Sequence, residues 1–330
     1  MEKRWDFWNN ENWQLTDEEI EIAVSGDEVR IIELGSFDLE ARRKILESDN
    51  FRKWMLFMHP RQERLVEKNY NGAVQLKGVS GSGKTAVVIN RAIRLALKYP
   101  EEEVLVLTLN KALAKLIEDL VNSASNELNN LTVLSLWPFC IDQMSIFEPG
   151  SSILYGEETW RSREHIDEVW EEFYNQELLI YDADVMFPVH QSLLQNNIYP
   201  SDYIREEFDF IRSAFSKDER SGYLSMSRDG RSFALQKNFR EFILEGLLGW
   251  EKKMQIVGTI DYVGLTSKLY QYIDEIQPKY DSILVDEMQD LGTLELRIIR
   301  KLVEEGGNDI FLAGDTAQRV LTKQHSFTKA

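Results

Sequence analysis

The chain has 330 residues, of which 43% are hydrophobic and 28% charged. That length and balance suit two compact units, or one core carrying a large insertion, and exclude wholesale disorder and collagen-like or mucin-like repeats. With 38 basic against 56 acidic residues the net charge is −18, which opposes long-range attraction to nucleic acid or anionic lipid, so any polyanion site must be local. The opening residues, MEKRWDFWNNENW, hold neither an apolar h-region nor a small-residue cleavage site. Charge interrupts every apolar run well before about 18 residues, the minimum for a bilayer span. The lone Cys140 excludes an internal disulfide framework and a thiolate metal cluster, reads as a small buried apolar residue, and fits a reducing, cytoplasmic setting. His59, His165, His190 and His325 share no metal-ligand spacing.

Residues 1–54 contain Trp5, Trp8, Trp13 and Trp54, a capping box at Thr16–Glu19 and a strand-like run from Val29 to Leu34. They carry no recognisable chemistry and read as an accessory segment packed on the next domain. From Ala73 the short apolar runs Ala73–Leu76, Val104–Leu107, Leu131–Leu134, Ile283–Val285 and Ile310–Ala313 are each followed by a helical or loop pattern. Buried parallel strands of an α/β sheet read this way. Between residues 138 and 256 the pattern is helical and polar, and interrupts the strand series. The stretch 142–184 has twelve acidic residues against Arg161 and Arg163, a surface that could face a protein partner. Within 212–240, Arg212, Lys217, Arg220, Arg228, Arg231, Lys237 and Arg240 alternate with Phe210, Phe215, Tyr223, Phe233 and Phe239, a composition suited to a single-stranded nucleic-acid groove or to a solvated face.

Gly78-Val-Ser-Gly-Ser-Gly83-Lys84-Thr85 fits G-x-x-x-x-G-K-[ST], follows a strand and opens the helical pattern Ala86–Leu97. In such a loop Gly78, Gly81, Ser82 and Gly83 let backbone N–H groups converge on a phosphate at a positive helix end. Lys84 would reach the β- and γ-phosphates of ATP, and the Thr85 hydroxyl would ligate Mg²⁺. The partner carboxylates are Asp286 and Glu287, at the end of Ile283–Val285 in the run Asp286-Glu-Met-Gln289-Asp290. Asp286 is suited to hold Mg²⁺ and Glu287 to act as general base. After a helix expected over Glu295–Val303, a further strand ends in Gly314-Asp315-Thr-Ala-Gln318, where a glutamine can sense the γ-phosphate.

Taken in order, these motifs resemble the UvrD/Rep-like superfamily 1 helicases, over roughly half of the chain. His59-Pro-Arg-Gln62 is similar to the family's hPxQ, which makes Gln62 the adenine reader. Val104–Ala112 resembles motif Ia, and Val133-Leu-Ser135-Leu-Trp137 the next strand-end motif, where the family usually has Thr and His. Gly258-Thr-Ile-Asp261-Tyr262, ahead of a helical Leu265–Ile273, is similar to the return into the sheet. The resemblance implies a RecA-like, P-loop NTPase fold of α/β class, its parallel sheet flanked by helices. Residues 55–137 and 257–330 would form ATP-binding domain 1A, and 138–256 a mostly helical 1B-like insertion. The implied activity is an ATP hydrolase of DNA-helicase type that moves on single-stranded DNA, using ATP and Mg²⁺, with Lys84, Glu287 and Gln318 in catalysis and nucleic-acid contacts through Thr108, Asn110, Lys111 and Ser135. Leu109 and Arg319 stand where family members carry stacking aromatics, so phosphate contact is expected instead. The sequence ends just after Gln318, before the family's second RecA-like lobe, so that lobe is expected in cis or trans. The alternative reading is an ATP-dependent switch or scaffold that grips a protein partner.

Overall fold

The computed structural model describes residues 56, 58, 60–125, 128–155, 160–179, 183–228 and 233–315. The accessory segment 1–54, together with His59, Arg231, Gln318 and Arg319, lies outside the described residues. All five apolar runs are strands, within a residue or so of their expected limits: β1 (Val74–Lys77), β2 (Val104–Thr108), β3 (Leu131–Ser135), β4 (Ser282–Val285) and β5 (Ile310–Gly314). They form one parallel sheet in the order β1-β5-β4-β2-β3. The central strands β2 and β4 are buried at every residue, whereas the edge strand β1 is only partly so.

Strand periodicity divides the core in two. Leu105, Leu107, Ile283 and Val285 face one apolar cluster, while the alternating Val104, Val106 and Leu284 face another. The second cluster is covered by α2 (Lys84–Lys98) and α3 (Lys111–Ala124). The first is covered by α4 (Leu136–Phe147), α10 (Tyr262–Leu269) and α11 (Thr293–Lys301); Cys140 is buried there. Helix α11 starts two residues before the expected Glu295 because the Glu295 carboxylate accepts from Gly292 N–H. It stops short of Val303, which bridges to Tyr280. A short helix, α1 (Pro60–Glu67), precedes β1.

Between α4 and α10 the chain builds α5 (Ser151–Tyr155), α6 (Trp160–Leu179), α7 (Ala183–Gln195), α8 (Pro200–Ala214), a 3₁₀ turn (Lys217–Leu224) and α9 (Lys237–Val257). All of these but α5, whose Tyr155 packs on the first cluster, share a third cluster, in which Trp170 sits edge-on to Trp250 and Phe208 at 5.2 and 5.8 Å. Trp170, which sequence placed in the acidic stretch, is therefore core, while Glu164, Asp167, Glu168 and Glu171 are exposed on the same helix. Where the chain leaves and rejoins the sheet, Trp137 stacks on Tyr262 (6.3 Å) and Phe147 on Tyr272 (4.8 Å).

Among the described residues of the basic strip 212–240, four arginines are engaged inside the protein and so are not available to line an open groove. Arg212 forks onto both oxygens of Asp261 (2.8 and 2.6 Å) and reaches Asp209 (2.5 Å). Arg220 binds Glu251 through two bonds, of 2.8 and 2.6 Å. Arg228 meets the fully buried Glu207 and the Tyr203 hydroxyl. Arg240 donates to the carbonyls of Tyr223, Leu224 and Met226. Composition could not separate this from a binding strip, since the matching carboxylates fall outside the 212–240 window.

Burial works against the Arg212 charge, but the carboxylates of Asp261 and Asp209 outweigh it and hold the guanidinium firmly protonated. For Asp261 too, burial is the largest influence, yet Arg212 leaves its carboxyl below the usual range. Removing one partner of such a pair strands buried charge, at a cost of about 3–5 kcal/mol. Arg212→Met should therefore lower the urea midpoint by a corresponding amount, and adding Asp261→Asn should recover part of the loss. A midpoint for Arg212→Met equal to wild type would show the fork to be dispensable.

Candidate active site

β1 ends at Lys77, and the chain curls from Gly78 to Gly83 before α2 begins at Lys84. Gly81 (φ 75°) and Gly83 (φ 78°) occupy the left-handed region that favours glycine. Gly83 is constrained twice over, since an added Cβ would lie 2.5 Å from Gln62 Nε2. Gln62 uses that nitrogen to donate to the Ser82 carbonyl at 2.7 Å, so the α1 glutamine braces the loop directly. Lys84 Nζ donates to the carbonyls of Gly78 and Val79, at 3.0 Å each.

The second half of the site arrives at the tip of β4. Thr85 Oγ1 donates to Asp286 Oδ2 at 2.6 Å, joining positions 201 residues apart. Asp286 is 1% exposed, and its Oδ1 has no partner among the described residues. Burial pushes the Asp286 carboxyl above its ordinary range; the Thr85 hydrogen bond pulls the other way, and the Glu287 charge adds to the rise. A buried hard oxygen without a partner, beside a hydroxyl, is a donor set that fits Mg²⁺.

Immediately beyond, Glu287 adopts φ 56°, a conformation that L side chains rarely take, and opens a 3₁₀ turn, Met288–Asp290. Gln289, 4% exposed, is fixed at both ends of its amide. Its Nε2 donates to the Glu287 carboxylate, and its Oε1 accepts from Asp315 N–H at 3.0 Å. Sequence reasoning quoted Gln289 within a motif but gave it no task; in the structure it ties the expected base to the end of β5. The Gly314 carbonyl accepts from Gly78 N–H at 3.3 Å, closing the ring from loop to β5.

Arg91 was also missed. It is 1% exposed and donates to the carbonyls of Leu65, Val66 and Lys68 and to Asn308 Oδ1. Burial pulls its pKa down to about 10, which leaves it charged at neutral pH. It thereby fastens α1, and with it Gln62, to the helix that follows the phosphate loop. A signal was present, since Arg91 lies three residues after Val88 and four before Leu95, on the helix face that sequence patterning marks as buried.

The structure brings Gln62, Gly78, Gly81, Ser82, Gly83, Lys84, Thr85, Asp286 and Glu287 together at the carboxyl end of the sheet. Of the residues expected at nucleic acid, Thr108 and Ser135 are register partners at the tips of β2 and β3. Both are buried, and the Thr108 hydroxyl has no partner among the described residues. Asn110 spends its side chain capping α3, accepting from Ala112 and Leu113 N–H, and Lys111 opens to solvent. Arg297 and Arg300 are engaged elsewhere, with Glu219 and Tyr270 in one case and Asp309 in the other.

A profile of the UvrD/REP helicase N-terminal domain matches residues 58–322, most of the chain. The chain belongs to the UvrD/REP helicase family. No curated protein matches it by sequence. For this UvrD/REP lobe, membership carries an ATP-binding helicase function and DNA as the family's partner, and the family works with ATP and Mg²⁺. Among its described residues no helix is long and apolar enough to cross a membrane.

Because the fold raises the pKa of Asp286, its ionised form opposes folding. That penalty is fully present above the folded pKa and fades as pH falls towards the free-acid value. Asp286→Asn in the UvrD/REP lobe should therefore raise Tm at neutral pH, by about 2–4 °C per kcal/mol relieved, while weakening Mg²⁺-dependent ATP binding. Thermal melts at pH 7 and pH 4 check this: the gain should shrink at the lower pH, and a variant that melts below wild type at pH 7 would contradict it.

Proposed function

We propose that this chain is the lobe that binds Mg–ATP and couples its hydrolysis to movement along single-stranded DNA, with the transition-state arginines supplied by a second RecA-like lobe in cis or trans. The observation that carries this reading is the Thr85–Asp286 contact with its unpartnered Asp286 Oδ1, set between a glycine-rich loop and Glu287. Thr85 and Asp286 are the residues that would hold Mg²⁺, whose role when bound is to neutralise charge on the β- and γ-phosphates. The backbone N–H groups of Gly81 to Lys84, at the positive end of α2, cradle the phosphates. Lys84 exchanges the carbonyls of Gly78 and Val79 for phosphate oxygens. The Glu287 carboxylate, with one oxygen occupied by Gln289, uses the other to take a proton from the attacking water. The Gln62 amide can donate to N7 of adenine while accepting from its N6 amine.

These groups form one wall of a phosphoryl-transfer site. Arg297 and Arg300 are committed to carboxylates away from it, and fingers of this kind contribute about 10³–10⁵ in rate. On the nucleic-acid side Leu109 takes the place of a stacking ring and Asn110 caps α3, so Lys111 acts on phosphate, a mode of contact that weakens steeply with salt.

Calorimetry with Mg–ATP tests the assignment. Lys84→Ala should abolish binding, since its charge-assisted bonds have no substitute; unchanged affinity would sink the phosphate-loop reading. Glu287→Gln should bind Mg–ATP as wild type does. Gln62→Ala should reduce the preference for ATP over GTP without altering Mg²⁺ dependence. The 330-residue chain should turn over ATP far below about 1 s⁻¹, an ordinary enzymatic rate. DNA-stimulated turnover above that value would show a single lobe to be sufficient.

A further inference from the structure

The acidic stretch 142–184 contributes no residue to the site described above, yet its side chains are not scattered at random. On α6, Glu164, Glu168 and Glu171 recur at i, i+4 and i+7 and so form one exposed ridge, on the side of the helix away from the buried Ile166, Val169 and Phe173. Among the described residues Glu164 and Glu171 make no ion pair, and Glu168 meets only His165, at 3.8 Å. Beside this ridge α7 turns an apolar stripe to solvent. Phe187 and Leu194, two turns apart on one face, are 46% and 48% exposed. His190 lies between them, its ring within 8° of parallel to Phe187 at 6.4 Å, and it shares a hydrogen bond of 2.6 Å with the Tyr174 hydroxyl of α6. Burial pulls the His190 pKa down, so the ring is neutral at pH 7. Tyr199, 68% exposed just ahead of α8, prolongs the stripe. Burial first, then the neighbouring Tyr199 and Glu171, raise the pKa of the Tyr174 hydroxyl, which puts the end of the stripe and the ridge around one side chain.

We propose that this face docks a protein partner through a basic amphipathic helix, whose apolar side lies along Phe187, His190, Leu194 and Tyr199 and whose lysines or arginines meet Glu164, Glu168 and Glu171. Exposed apolar side chains gathered in a row, rather than scattered singly, mark interaction surfaces, and anchors at i and i+7 are the spacing by which one helix receives another. Charge selects the occupant. The ridge repels a nucleic-acid strand, even though the rings suit base stacking, and it repels a second copy of this chain, which brings the same ridge and a net charge of −18. A helix with basic flanks gains on both counts, since its cations meet the carboxylates while its apolar side covers the stripe. None of these residues belongs to the nucleotide site, and the docking face stands or falls independently of the function proposed above.

The test is anisotropy of a labelled peptide of about 18 residues, five helical turns, with Leu on one face and Lys on the other, titrated with the 330-residue chain. A peptide of the same composition, scrambled so that no apolar face forms, is run beside it. The wild-type chain should prefer the amphipathic peptide by about tenfold or more. Phe187→Ser/Leu194→Ser should bind it about tenfold more weakly, as truncation of anchoring side chains does, with a urea melt to check that the variant is folded. Glu168→Lys/Glu171→Lys, at exposed positions where folding is not at stake, should weaken binding as well and flatten its dependence on salt. Glu304→Lys/Glu305→Lys makes the same change in net charge at other exposed positions and should leave affinity and salt dependence alone. Equal affinity of the wild-type chain for the two peptides, no binding of either, or wild-type affinity in the Phe187/Leu194 or the Glu168/Glu171 variant would overturn the proposal. So would two results that give the face another occupant: a wild-type dimer in sedimentation that the Phe187/Leu194 variant abolishes, or oligo-dT affinity that falls in that variant.

Discussion

The hydrogen bond from Thr85 to Asp286 is the constraint around which this fold is arranged. It can form only if β4, reached after an excursion of more than a hundred residues, returns to the middle of the sheet in register with β2. A one-residue slip in β4 would turn Ile283 and Val285 away from their core and move Asp286 off the tip. The apolar strand thus sets the position of a carboxylate that is itself expensive to bury. Gln289 and Gly314 depend on the same registration, because the amide that holds Glu287 also holds the backbone at the end of β5.

The parts legible in sequence were those in which local pattern and task coincide. Short apolar runs gave the five strands, and the glycine spacing before Lys84 gave the loop, because both depend on residues close together in the chain. What was illegible depended on distant partners. Arg212, Arg220 and Arg228 read equally as a solvated face or a binding strip until Asp261, Glu251 and Glu207 were seen to pair with them inside the protein. Gln289 resembled motif filler because its acceptor and donor lie on either side of a helix and a strand. Arg91 was partly legible, since a lone cation on an apolar helix face has to find carbonyls or carboxylates inside the protein.

Two kinds of buried charge serve different ends here. In the arginine–carboxylate pairs of the insertion each guanidinium meets a carboxylate, and the pairs fix how its helices sit on one another. Asp286 is left half-satisfied at the sheet tip, where the proposed cation would bind. Buried polar groups are ordinarily bonded, and the unpartnered Oδ1 of Asp286 is the exception that the proposed Mg²⁺ site would account for.

The stacked pairs Trp137–Tyr262 and Phe147–Tyr272 place the departure and return of the helical insertion side by side. The excursion is therefore a cassette closed at its base, and the sheet registers only that closure. For a flexible loop, doubling the length between fixed ends costs only about 0.6 kcal/mol, so the ends, once clasped, place little restriction on what lies between them. The helices from α5 to α9 could be lengthened, trimmed or exchanged with slight penalty to the strand order, provided the four rings at the base persist. Change in this lobe has an inexpensive route through the cassette and an expensive one through the sheet, so evolutionary novelty should collect in the helices while the nucleotide chemistry stays fixed.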